Sequence, residues 1–201
     1  MAPRGRKKGS NGETSRTLLL QIAADEFAEH GYHETKISTI VRKANVTQPT
    51  FYLYFKSKEA IFEELEALFR GKLVSLTMNS LLGEGLDTTI LPDRIAEGLT
   101  AIFQFFSEHR SLARIGFYVS PSAANVKAQM AAQFESNLCE EVVAGYFHPN
   151  ADMAIVANAL VGMIDRLAIT KLWTGEKTAQ ELAKEIVTLL LHGLKKEISI
   201  Q

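Results

Sequence analysis

The sequence lacks most of the features that would announce a function at once. It has one cysteine, Cys139, in 201 residues. That leaves no internal disulfide framework and no cysteine-based zinc site, and it fits a reducing, cytoplasmic setting. No segment supplies the roughly 20 unbroken apolar residues of a membrane span; the best stretch, 154–173, is interrupted by Asp165 and Arg166. The basic N-terminus leads into no apolar run, so no secretory signal is expected. Five histidines are dispersed, and only His30 and His33 lie near each other, astride Gly31. That spacing secures no common face for a metal. There is no nucleophile-elbow sequence and no phosphate loop, and Gly83 and Gly85 lack the third glycine of a dinucleotide site. The sequence therefore predicts no catalytic residues, no metal and no cofactor. Only five prolines and thirteen glycines leave room for long helices.

What is present is an uneven charge distribution under a net charge of −1. Residues 1–60 carry ten Lys and Arg against six Asp and Glu, while the remainder carries twelve against seventeen. A basic quarter attached to an acidic body is the pattern of a polyanion-binding module joined to something of another purpose. Residues 1–13 offer no hydrophobic face and read as a mobile basic arm.

From Thr14 the apolar spacing becomes helical, through Leu19, Ile22, Ala23 and Phe27, and Gly31 stops the run. Thr35 is placed to cap a second short helix carrying Ile37, Ile40, Val41 and Ala44. Asn45 tolerates the left-handed conformation of a tight turn. Thr47 can cap a third helix bearing Phe51 and Phe55, with Pro49 in its first turn. Ser57 caps a fourth that runs to about Thr77. Further helices are expected from Asp93, over 111–119, over 124–147, from Asn150 to about Thr174, and from Thr178 to about Leu194. The prediction is an all-α chain of about nine helices.

Two short helices joined by a tight turn in a basic segment form helix-turn-helix geometry, although a generic helical hairpin has the same outline. The order of Phe27, Gly31, Tyr32, Thr35, Ile40, Ala44, Val46, Thr47, Thr50, Tyr52, Phe55, Ser57, Lys58 and Glu59 resembles the DNA-binding domain of the tetracycline-repressor (TetR) family over roughly residues 15–62. Asn45 and Pro49 depart from that pattern, where glycine or another small residue is usual. The resemblance implies a homodimeric transcriptional regulator, most simply a repressor, that a small effector releases from a near-palindromic double-stranded operator. It divides the chain into an arm (1–13), a DNA-binding domain (14–57) and a ligand-binding and dimerisation domain (58–201). A helical small-molecule-binding protein without DNA-binding function is the competing class.

The residue chemistry assigns roles within that frame. Gln48, Pro49, Thr50 and Tyr52 are expected on the exposed, groove-facing side, with Thr47 either joining them or serving only as the N-cap: Gln pairs bidentately with adenine, and the Thr methyl or Pro ring meets a thymine methyl. Tyr52 and Tyr54 are expected on phosphates, with burial as the other reading for Tyr54. Thr35, Lys36, Arg42, Lys43 and Lys58 would position the duplex through its phosphates. Arg4 and Arg6 lie in a segment similar to an AT-hook core, read either as a minor-groove contact or as a nonspecific basic tail. In the larger domain, Phe103, Phe106, Phe117, Tyr118, Met130, Phe134, Met163, Arg166 and Trp173 are candidate contacts for an apolar or amphipathic ligand, with ordinary core as the alternative. The last two helices are apolar on more than one face. Val161, Ala168, Leu182, Ile186 and Leu190 are therefore candidate dimer contacts, against the reading of a thick monomer core.

Overall fold

The computed structural model describes residues 10–194, with side chains from residue 13. All regular structure among them is helical. The chain forms two compact units. Among the described residues, the first comprises 10–69 and 111–123, the second 70–110 and 124–194. The chain therefore crosses between them three times, at 69/70, 110/111 and 123/124.

In the first unit, α1 spans Ser10–Glu34. It begins four residues earlier than expected, so Ser10 to Glu13 are helix rather than arm. Gly31 still interrupts it, with φ 78° and ψ 170°, a conformation that costs a residue without Cβ little. Helix α2 is Ile37–Lys43 and α3 is Gln48–Tyr54. Between them Asn45 takes φ 52°, as its tolerance of left-handed backbone predicts. Thr47 caps α3, its hydroxyl accepting the Thr50 N–H. Ser57 caps α4, Lys58–Met78, by accepting the Ala60 N–H at 3.2 Å.

Thr35 corrects the sequence reading. Lys36 holds the N-cap position of α2 without a side-chain bond. The Thr35 hydroxyl instead donates to the carbonyls of Glu26 and Gly31, at 3.1 and 2.8 Å. Buried at 3% exposure, it closes the α1–α2 corner.

The core of this unit gathers Leu19, Ala23, Phe27, Ile40, Phe51 and Ile61, all fully buried. Phe27 meets Phe62 edge-on at 5.0 Å and stacks on Tyr32 at 5.9 Å. Ile115 joins the same core from the π-helical segment Ile115–Val119, which follows α6, Arg110–Arg114. Polar bonds hold this inserted segment as well. Ser111 donates to Asp25 at 2.6 Å, and Ser122 donates to Glu66 at 2.8 Å, where Ser120 also donates.

The second unit contains α5 (Leu91–Glu108), all but the first residue of α7 (Ala123–Val143), α8 (Met153–Leu167, continued by a π-helical turn to Leu172) and α9 (Ala179–His192). Helix α5 begins two residues before Asp93, with Pro92 in the first turn, where its missing N–H is not needed. Helix α7 stops four residues short of Phe147; Gly145, at φ 83°, bends the chain away. Asp152 rather than Asn150 caps α8, accepting from Ala154 and Ile155. Thr178 and Glu181 form a reciprocal capping box on α9, as the sequence predicts for Thr178.

Met153–Leu172 is long and apolar enough, by length and composition, to cross a membrane, which corrects the expectation that no segment qualifies. Within the unit, Ala157, Leu160, Val161, Ile164 and Ala168 of this stretch are buried, and Asp165 pairs with Lys127 at 3.0 Å. Helices α5 and α9 pack extensively against each other.

Candidate DNA-contact surface and ligand cavity

Helix α3 is held by Phe51, which points into the core at 0% exposure. Four-residue spacing then turns Gln48 with Tyr52, and Pro49 with Leu53, to the outside. Thr47, Gln48 and Pro49 are exposed and Thr50 is half-buried, its hydroxyl 2.9 Å from that of Thr47. Tyr52 is half exposed and Leu53 is 79% exposed. Leu53 was missed in the sequence because FYLYF reads as core, yet its four-residue distance from Pro49 was the available signal. An apolar side chain held out on this helix suits a thymine methyl. Tyr54 is half-buried and packs against the core of the unit.

The expected phosphate cations divide by what already occupies them. Lys36 and Arg42 are exposed, as is Lys56, which the sequence reading overlooked. Lys43 pairs with the buried Glu26 carboxylate, a bond that raises the lysine's pKa. Lys58 is a clearer correction. Its ammonium donates to the carbonyls of Tyr32, His33 and Thr35 at 2.9, 3.3 and 3.1 Å, and it lies 4.4 Å from the Tyr32 ring centroid. All three of its protons serve the carbonyls around the end of α1, which no helical N–H reaches. Thr35 is likewise removed from the phosphate set by burial. Arg4 and Arg6 lie outside the described residues.

Beside Lys58, the Tyr32 hydroxyl donates to Glu59. That bond holds the Glu59 carboxyl down at about 2, while burial, then the bond to Glu59, pushes the Tyr32 phenol up to about 12. Glu26, Glu29 and His30 bring ligand-type atoms within 4.8 Å of one another, but Lys43 already meets the charge on Glu26.

These assignments make a sharp prediction. Replacing Arg42 or Lys56 with Ala should each flatten the dependence of log affinity on log salt by about 0.9. Lys58→Ala should leave that slope unchanged and lower the thermal stability of the protein instead. Fluorescence-anisotropy titrations over a salt series, beside thermal melts, separate the two.

The second unit encloses a cavity of about 340 Å³. Ile95 and Leu99 of α5, Phe134 and Leu138 of α7, Met153, Val156 and Leu160 of α8, and Val187, Leu190 and Leu191 of α9 give it an apolar wall. Its polar side carries Ser80, Asn137, Glu141, Tyr146 and His148. Glu141 is only 6% exposed. Burial pushes its carboxyl up to about 7, partly offset by the Leu82 N–H donating to Oε1 at 3.0 Å. Tyr146 is fixed between Gly83 and Leu86, donating to the carbonyl of one and accepting the N–H of the other.

Of the nine expected ligand contacts, only Phe134 lines this cavity. Phe103, Phe106 and Met130 are buried as packing, and Phe117 and Tyr118 belong to the first unit. Met163 is half-buried and Arg166 exposed, neither on the cavity wall. Trp173 donates its indole N–H to the Phe106 carbonyl at 3.0 Å and lies under Arg110. Most of the large aromatics fill the interior, while mainly aliphatic residues of α5, α7, α8 and α9 border the space.

Four of the five expected dimer contacts require a similar correction. Val161, Ala168, Leu182 and Ile186 are at most 6% exposed in the single chain, so they are core. Leu190 is 37% exposed and lines the cavity. The apolar surface left open on α8 and its continuation is Ile155 at 67% and Ile169 at 41%, with Ala159 and Gly162 exposed on the same side.

A core-anchored helix after a left-handed turn, presenting hydrogen-bonding side chains outward, defines a DNA-binding regulator of the helix-turn-helix class. Residues 19–65 match the family described as bacterial regulatory proteins, tetR family. The chain is 45% identical over 185 residues to the uncharacterized HTH-type transcriptional regulator YdgC of Bacillus subtilis (strain 168), covering 92% of this chain and 95% of that one. It is 26% identical over 194 residues to the HTH-type transcriptional repressor KstR2 of Mycobacterium tuberculosis, covering 89% and 92%. Its fold matches that of the transcriptional regulator FadR from Bacillus subtilis, crystallised with stearoyl-CoA, at a TM-score of 0.67 and 22% identity, over 89% of this chain and 99% of that one. The chain belongs to the tetR family of helix-turn-helix transcriptional regulators.

Proposed function

We propose that this chain is a cytoplasmic repressor without enzymatic activity, held on a near-palindromic operator as a homodimer and released when a small amphipathic effector enters the cavity. The observation that carries this reading is the presence, in one chain, of an outward-facing recognition helix in one unit and a largely apolar, partly enclosed cavity in the other. The name of the repressor KstR2 and the stearoyl-CoA bound by FadR support repression and a small-molecule effector. Helix α4 contributes residues to both units, as does α6, so backbone continuity offers a route from cavity to recognition helix. An effector shifts the protein only if it prefers the DNA-free conformation. Operator DNA must then weaken effector binding by the same factor.

The test selects bound fragments from genomic DNA, derives the operator and measures affinity with and without cavity ligands. A two-fold symmetric site whose occupancy falls with ligand, while the dimer persists, is the expected result. Cavity binding with no specific DNA binding would favour the competing class.

Dimerisation is assigned to the open α8 surface. Ile155→Glu should shift dimer to monomer in light scattering at micromolar concentration without unfolding the chain, because the side chain is exposed in the single protomer but would carry an unpaired charge into the contact. A wild-type protein that is already monomeric contradicts the assignment.

A further inference from the structure

We infer that the cavity of the second unit selects an amphiphile with a cationic, hydrogen-bond-donating head, which Glu141 receives, and rejects anionic amphiphiles. The inference rests on the reading of this cavity as the effector site and adds the class of ligand.

The lining contains no lysine or arginine, and its one imidazole, His148, lies at the exposed rim, so no fixed cation inside it balances a carboxylate or phosphate head. Its acid is Glu141, more than nine-tenths buried. Among the described residues that carboxyl receives one hydrogen bond, from the Leu82 N–H to Oε1, and Oε2 has no partner among them. The polar groups nearby are otherwise engaged. Asn137 donates to the Thr77 carbonyl and to Ser80, and accepts from Gln133. Tyr146 uses both its donor and its acceptor. His148, exposed at the rim, accepts the Asn150 N–H through Nδ1 and keeps Nε2 as a donor.

What faces Glu141 from α5, α8 and α9 is apolar, and the neighbouring charge on its own helix is Glu140, which repels the carboxylate. Burial without a countercharge pushes this carboxyl up to about 7. An ammonium seated against it would supply the missing donor and charge at once. The hydrocarbon tail would lie along the aliphatic wall. Binding a cation favours the ionised carboxyl, so affinity should rise with pH through about 7 as the proton that must otherwise be expelled disappears.

The experiment titrates the purified full-length protein calorimetrically with decylamine, decanol and decanoate, which share one tail, between pH 6 and pH 8.5. Decylamine is expected to bind at least about ten-fold tighter than decanoate, with a preference that grows with pH. Glu141→Gln is expected to bring decylamine to the level of decanol while leaving decanol unchanged. The amide oxygen of that variant still accepts from Leu82, and a thermal melt checks that it folds. Decanoate binding as well as decylamine, an order of affinities unaltered in Glu141→Gln, or no binding by any of the three overturns the inference. Leu99→Phe, which narrows the cavity, should weaken binding of all three. If the three ligands bind in the expected order yet none changes operator affinity, the ligand class stands and the effector reading falls.

Discussion

Gly116→Ala is expected to destabilise the protein by about 3 kcal/mol, or roughly 6–12 °C in Tm for a chain of this size. A Cβ built on Gly116 would lie 2.0 Å from Phe69 Cδ1 and 2.4 Å from its Cγ. Phe69 cannot step aside, because it is fully buried and packs edge-on against Phe117 at 6.1 Å. The methyl therefore meets the root of a confined ring, and interiors at native density absorb such a change only by shifting backbone. The segment displaced is the π-helical turn that puts Ile115 into the core of the DNA-binding unit, so operator affinity should fall with stability. Gly71→Ala is the matched control. Its Cβ would meet nothing within 4 Å on α4, and the change should stabilise the protein by about 0.5–1 kcal/mol. Equal melting temperatures for the two variants would refute the packing argument.

The second large effect concerns recognition. The double variant Gln48→Ala, Tyr52→Phe should lower affinity for the selected operator by about 100-fold, the range that one good base contact plus a positioning bond supplies. Both side chains are exposed on α3, so melting temperature should not move. Affinity for random duplex should fall much less, by the share of the Tyr52 positioning bond alone, since Lys36, Arg42 and Lys56 remain. Competition titrations with specific and nonspecific DNA read the ratio directly. A uniform loss on both DNAs would place these residues on the phosphates and leave base reading to Thr47, Pro49 and Leu53.

Local signals in the sequence located these elements to within a few residues. Asn45 takes the left-handed turn, Thr47 and Thr178 cap their helices, and Gly31 interrupts α1, because each outcome depends on the residue's own backbone preferences or on neighbours within one turn. The exposed face of α3 was legible for the same reason, since burying Phe51 leaves Gln48 and Tyr52 outside.

Roles that depend on distant partners were not legible. Lys58 and Lys43 look like any surface cations in the sequence, and only folding brings Lys58 to the carbonyls of Tyr32, His33 and Thr35, 23 to 26 positions away, and Lys43 to Glu26, 17 away. The cavity is likewise a product of packing. An apolar residue carries no mark that says whether its neighbours will close on it, so Phe103 and Phe106 became core while Ile95 and Leu99, from the same helix, line the open space. The same holds for the apolar stripes of α8 and α9. Periodicity shows that a face is hydrophobic, but which face the monomer covers is decided by the helices packed against it. Here Leu182 and Ile186 are buried and Ile155 is left in solvent. Hydrophobic burial is non-directional, so composition and period set how much apolar surface must be covered, and only the tertiary structure determines what covers it.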